Sequence, residues 1–158
     1  MRARLWGPVL VAVLSATGCS TPGGSGGNPP LQAQAPTLVG AWEVTARRAA
    51  GVGKNLLTFS SDGTFYRSGD THPVLSGGHG AWKKVGPNLY QASYVAFTFD
   101  SSGKWVGVNR NNLEIRLGDD GASFQGTVRT SNRDLQENVL NRGTSPLEGR
   151  RIQVQPFE

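Results

Sequence analysis

Residues 56–67 read Leu-Leu-Thr-Phe-Ser-Ser-Asp-Gly-Thr-Phe-Tyr-Arg, and this stretch decides the fold class. Two short runs of aliphatic, aromatic and β-branched residues flank Ser60-Ser61-Asp62-Gly63. Asp-Gly between such runs is a strong short-range hairpin signal, because glycine takes a positive φ without steric cost. The same grammar continues in both directions. Upstream, from Leu38 to Arg47, Gly40, Trp42 and Val44 alternate with Ala41, Glu43 and Thr45, the period-two pattern of a strand with one buried face. Downstream, His79 to Val85 carries Trp82, and Gly86-Pro87-Asn88 turns the chain into Leu89 to Asp100. Ser101-Ser102-Gly103 leads into Lys104 to Leu117, and Gly118 to Gly121 leads into Ala122 to Thr130. Leu147 to Gln155 closes the series, with Ile152 and Val154 expected to face inward on the same side as Arg150.

Ser68–Gly78 and Ser131–Ser145 read as the two long polar connections. Asp134 to Leu140 is the best helical segment and reads equally well as loop. Eight strands joined mostly by short turns can close on themselves, which removes the exposed edges of an open sheet. The expected fold is therefore all-β, a single eight-stranded antiparallel up-and-down barrel, with a two-sheet β-sandwich as the alternative.

Composition agrees. The chain has 158 residues, of which 17% are charged, and it contains 22 glycines and 9 prolines. That suits strands and tight turns and excludes a helical bundle rich in Ala, Leu, Glu and Lys. The single cysteine cannot form an internal disulfide, and two histidines cannot build a histidine-rich metal centre. Basic residues occur in scattered pairs (Arg47-Arg48, Lys83-Lys84, Arg150-Arg151), so the clustered stripe that nucleic acid requires is absent from the sequence.

The start of the chain carries an address. Arg2 and Arg4 precede an apolar run beginning at Leu5, followed by Ser15-Ala16-Thr17-Gly18-Cys19, the parts of a secretory signal. The run is too short to span a bilayer as a helix. Leu14 to Cys19 resembles the bacterial lipoprotein lipobox. The resemblance implies a signal peptide at 1–18, acylation of Cys19 by palmitate-like chains and membrane attachment through them. Ser20 after the cysteine implies, by the same resemblance, the outer membrane of a Gram-negative envelope. Residues 19–36, rich in Gly and Pro and uncharged, are expected to form a flexible tether. The folded domain is expected to span 37–158.

Gly40-Ala41-Trp42, at the start of the first strand, resembles the Gly-x-Trp motif of lipocalin-like (calycin) barrels. The resemblance implies that the glycine lets the chain bend at the barrel floor and that Trp42 plugs it, with a basic residue of the last strand stacked on the indole. Arg150 is the expected partner. The motif recurs as Gly80-Ala81-Trp82, read as a second bend followed by a plug.

Catalysis finds little support. The one Gly-x-Ser-x-Gly string, Gly23 to Gly27, falls in the Gly/Pro-rich stretch and not at a strand-to-helix elbow, and no acidic pair can be placed on a common inward face. Asp70, His72 and His79 read as ordinary loop residues, and Asp119-Asp120 falls short of a calcium loop, so no catalytic residue, metal or cofactor is assigned. The candidate ligand-binding residues are aromatic: Phe59, Phe65, Tyr90, Tyr94, Phe97, Phe99, Trp105 and Phe124 could line a pocket for a small apolar or amphipathic molecule. The same residues could simply fill the barrel, which would leave a structural or interaction role in the envelope. A small-barrel isomerase or cyclase is the third reading, with Tyr90 or Tyr94 as its reactive group. Asn109, Arg110, Asn111 and Asn112 interrupt their strand, and any that faces inward must find a partner or a ligand.

Overall fold

The computed structural model describes residues 37–71 and 73–157. The expected signal, Cys19 and the tether lie outside the described residues, as does His72. Eight strands follow in chain order: β1 (Gly40–Arg48), β2 (Gly51–Phe59), β3 (Thr64–Gly69), β4 (Gly78–Gly86), β5 (Leu89–Phe99), β6 (Trp105–Leu117), β7 (Ser123–Asp134) and β8 (Val139–Arg151). Each pairs antiparallel with the next, and β8 pairs with β1, so the sheet is a closed up-and-down barrel. The sandwich alternative is ruled out.

Aspartates set the turns. The Asp62 carboxylate accepts a hydrogen bond from the Thr64 backbone N–H at 2.8 Å, and Asp100 does the same for Ser102 at 2.8 Å. Asp120 accepts from Ala122 at 2.9 Å, and Asp134 from Gln136 at 3.0 Å. Each is an Asx-type turn in which the side chain replaces a backbone acceptor. Gly63, Gly103 and Gly121 supply the positive φ in the first three of these turns, and Glu137, with φ 65°, in the fourth.

Joins around the barrel differ in length. β6 and β7 pair over eleven positions, from Gly107↔Asp134 to Leu117↔Phe124. β3 and β4 share only four, from Thr64↔Ala81 to Arg67↔Gly78. The β1–β8 join runs from Trp42↔Arg151 to Ala46↔Leu147, and the next position on β8 is Pro146, which has no N–H to offer.

Ser131–Ser145 is not a loop, and Asp134 to Leu140 is not a helix. β7 continues to Asp134, a turn follows, and β8 starts at Val139. Conversely, β8 ends at Arg151, and Ile152 to Phe157 form no strand. Val154 is 99% exposed, so the expected inward pair of Ile152 and Val154 is also corrected.

One end of the barrel is packed solid. Trp42, Phe59, Tyr90 and Ile115 are at most 2% exposed, and Phe65 and Phe124 lie with them. The Phe59 and Phe65 rings stack at 4.6 Å, Trp82 meets Phe59 edge-on at 5.8 Å, and Trp42 tilts against Phe124 at 5.0 Å. Burying each such side chain contributes about 1.5–3 kcal/mol. Trp82 is the second plug expected from Gly80-Ala81-Trp82, and its Nε1 donates to the Ser60 carbonyl at 2.9 Å. Residues 37–39 fold across this end. Leu38 is fully buried, and its carbonyl accepts from Trp42 Nε1 at 2.9 Å.

The cation on Trp42 is Arg151 and not Arg150. Its guanidinium lies 4.3 Å from the indole centroid and donates to the carbonyls of Gly121 (2.8 Å), Val39 (2.6 Å) and Thr37. Register decides this: Trp42 pairs with Arg151, and directly paired residues share a face, whereas Arg150 pairs with Glu43 and is exposed.

Candidate functional site

The other half of the interior is hollow. A cavity of about 840 Å³ extends from Val44, Leu57 and Leu113 to a rim formed by Ala49, Ala50, Leu140 and Arg142. All four rim residues are exposed, so the cavity reaches the surface at the end away from Trp42.

Arg67 is the unexpected member. It alternates with Phe65 on β3, which directs it inward, and it is only 3% exposed. Asn55 Oδ1, on β2, accepts from Arg67 Nε at 2.9 Å and from Nη2 at 2.6 Å, while Nη2 also donates to Thr71 Oγ1 at 3.0 Å. Among the described residues no carboxylate lies within ion-pair distance of this guanidinium. Burial pulls its pKa below the usual arginine value; nearby Tyr94 opposes that shift, Arg48 adds to it and Asp70 opposes it. Glycines make the seat. A Cβ on Gly69, which pairs with Asn55, would stand 2.3 Å from Arg67 Nη2.

Tyr94 reaches the same wall from β5. Gly78 on β4, the partner of Arg67, has no side chain, and a Cβ there would meet the Tyr94 ring at 2.5 Å. The ring therefore crosses the narrow β4 and packs edge-on to Phe65 at 5.7 Å. Burial pushes the Tyr94 phenol pKa upward, and the Arg67 charge partly offsets this. At neutral pH the phenol is protonated, a hydrogen-bond donor and not a base.

The Asn109–Asn112 run resolves by alternation. Asn109 and Asn111 face inward, at 6% and 3% exposure, while Arg110 and Asn112 face out. Asn111 Nδ2 donates to Asn109 Oδ1, Asn109 Nδ2 to Asn132 Oδ1, and Asn132 Nδ2 to Asn141 Oδ1 at 2.7 Å. Thr130 Oγ1 donates to Asn111 Oδ1 at 2.6 Å. The chain of amides thus engages each of these carbonyl oxygens and leaves N–H groups over.

Of the eight aromatic candidates, the structure brings only Tyr94 to the cavity. Phe59, Phe65, Tyr90 and Phe124 belong to the packed end. Phe97 and Trp105 are 52% and 49% exposed and meet each other on the outer face at 5.7 Å. Phe99 is half-buried, beside a register shift opposite Trp105, and does not line the cavity. Sequence parity assigns a face but not a depth along the barrel, and depth separates filler from lining. Gly40, with φ 130°, backs onto Arg151 at the closed end, as the Gly-x-Trp reading requires of a bend. His79 is exposed and meets Tyr66 edge-on at 4.9 Å, while Asp70 accepts the Lys54 N–H at 2.7 Å. Arg67 was legible in principle, since period two runs from Phe65 through Arg67 to Gly69.

The fold and site define a closed eight-stranded antiparallel barrel with one plugged and one hollow end. No family model matches the chain, and no curated protein matches it in sequence.

Proposed function

We propose that the protein is a lipocalin-like binding protein of the bacterial envelope, held to the membrane through acylated Cys19, whose cavity takes a small amphipathic molecule. The observation that carries this reading is the cavity of about 840 Å³ inside the barrel wall. Small-molecule sites occupy about 300–1,000 Å³ and combine apolar walls with a few placed polar groups. Aliphatic Val44, Leu57, Leu113, Val128 and Leu147 supply the first, and Arg67, Tyr94 and the asparagines the second.

Binding is favoured over turnover by the state of Tyr94. A phenol pushed upward by burial donates a hydrogen bond but does not take a proton near neutral pH. The structural alternative needs a filled barrel, and the hollow half argues against it.

The test is titration of the full chain, with Cys19→Ser to prevent acylation, using the uncharged fluorophore N-phenyl-1-naphthylamine. Saturable one-to-one binding that is lost in the cavity-filling variant Val128→Trp is the expected result. Binding that does not saturate, or that survives a folded Val128→Trp variant, would refute the reading.

A further inference from the structure

We infer that the cavity selects amphipathic carboxylates, with the carboxylate seated against Arg67 and Tyr94 and the hydrocarbon against the aliphatic wall. This rests on the cavity being a binding site, as proposed above, and adds the chemistry of what it binds.

Charge comes first. Among the described residues, the charged side chains lining the cavity are Arg48, Arg67 and Arg142, and none is Asp or Glu. Arg48 is 3.9 Å from Asp70 and sits at the exposed rim, as does Arg142. Arg67 is the cation inside. A guanidinium 3% exposed and without a carboxylate partner among the described residues is an arrangement that a bound anion would complete.

Donor geometry sharpens this. Asn55 and Thr71 engage Nε and Nη2 of Arg67, while Nη1 has no hydrogen-bond partner among the described residues. The Tyr94 hydroxyl likewise has none, although its ring is fixed over Gly78. Across the cavity the asparagine chain has its carbonyl oxygens engaged and N–H groups to spare. The interior therefore offers donors and wants acceptors. One buried guanidinium matches one negative charge, which favours a carboxylate over a phosphate dianion. The free Nη1 supplies a charge-assisted donor for one carboxylate oxygen, and the Tyr94 hydroxyl a donor for the other. Val44, Ala46, Leu57, Leu113, Val128 and Leu147 leave the remainder of the ligand an apolar surface.

The experiment compares dodecanoate, 1-dodecanol and dodecyltrimethylammonium as competitors of N-phenyl-1-naphthylamine on the full chain carrying Cys19→Ser. Dodecanoate should bind tighter than dodecanol by about tenfold or more, the range for hydrogen bonds to a charged group, and the ammonium weakest. Arg67→Met should bring the dodecanoate-to-dodecanol ratio close to one. Gly69→Ala keeps an ordinary strand backbone but displaces the guanidinium, so it should lower the ratio with Arg67 itself intact. It carries the test if Arg67→Met fails to fold. Equal affinities in the parent chain, or a preference that survives either folded variant, would overturn the carboxylate seat while leaving the cavity reading in place. Failure of the fluorophore and all three competitors to bind would overturn both.

Discussion

Replacing Arg151 with alanine should cost the barrel much of its stability, whereas the same change at Arg150 should cost almost none. Arg151 lies 4.3 Å from the Trp42 ring centroid and donates to three backbone carbonyls, those of Gly121, Val39 and Thr37. The cation–π contact contributes about 0.5–2 kcal/mol. Hydrogen bonds to a charged group contribute about 1.5–3 kcal/mol each, but the three share one side chain and do not add in full. A loss of about 3–5 kcal/mol is the reasoned magnitude. For a domain of about 120 residues that lowers Tm by roughly 10–20 °C. Arg151→Lys should recover only part of it, because an ammonium cannot hold three divergent carbonyls in one plane. Arg150 is exposed and should stay within about 0.5 kcal/mol of the parent. Circular-dichroism melts and urea titrations of the three variants decide the matter. If Arg150→Ala loses as much as Arg151→Ala, or if neither moves the midpoint, the account of the closed end is wrong.

Gly40→Ala should destabilise by about 1–3 kcal/mol, because φ there is 130° and the new Cβ would stand 2.6 Å from Arg151 Nη1; a urea midpoint equal to that of the parent would contradict this. Acid should weaken the fold through its turns. Hydrogen bonds from Thr64, Ser102, Ala122 and Asn138 hold the carboxyls of Asp62, Asp100, Asp120 and Asp134 below their ordinary pKa. A carboxyl depressed in the folded state stabilises fully above its unfolded pKa, about 4, and loses that contribution as pH falls through the folded value. Urea midpoints should therefore be flat from pH 7 to 5 and fall toward pH 3, with a shallower fall in Asp120→Asn. Cys19→Ala should move the protein from the membrane to the soluble fraction on cell fractionation, and retention in the membrane would sink the acylation proposal.

The hairpins were legible because turn chemistry is local: Asp62-Gly63 between two apolar runs specifies its own geometry. Trp42 was legible as an inward residue for the same reason, since alternation around it is clean. The choice of Arg150 failed because Ile152 and Val154 look like an inward face, whereas Ile152, still donating to the Ala41 carbonyl at 2.9 Å, faces out beside the inward Arg151, and Val154 lies beyond the end of β8. Ser131–Ser145 was misread because its strands run alongside a polar cavity. Thr130 and Asn132 line it from β7, and Asn141 and Ser145 from β8, so no apolar rhythm marks them. The pocket residues were hidden by the same circumstance. A search for apolar lining finds the aromatic plug, whereas this cavity is marked by an arginine and a row of amides.

The shortness of the β3–β4 join has a mechanical result. A hoop under thermal agitation gives where its fastening is briefest, and four rungs hold these neighbours against eleven between β6 and β7. Backbone deuteration should advance first along Tyr66 to Arg67 and Gly78 to Gly80, beside the buried guanidinium. The wall that carries the charge is thus also the wall expected to exchange first.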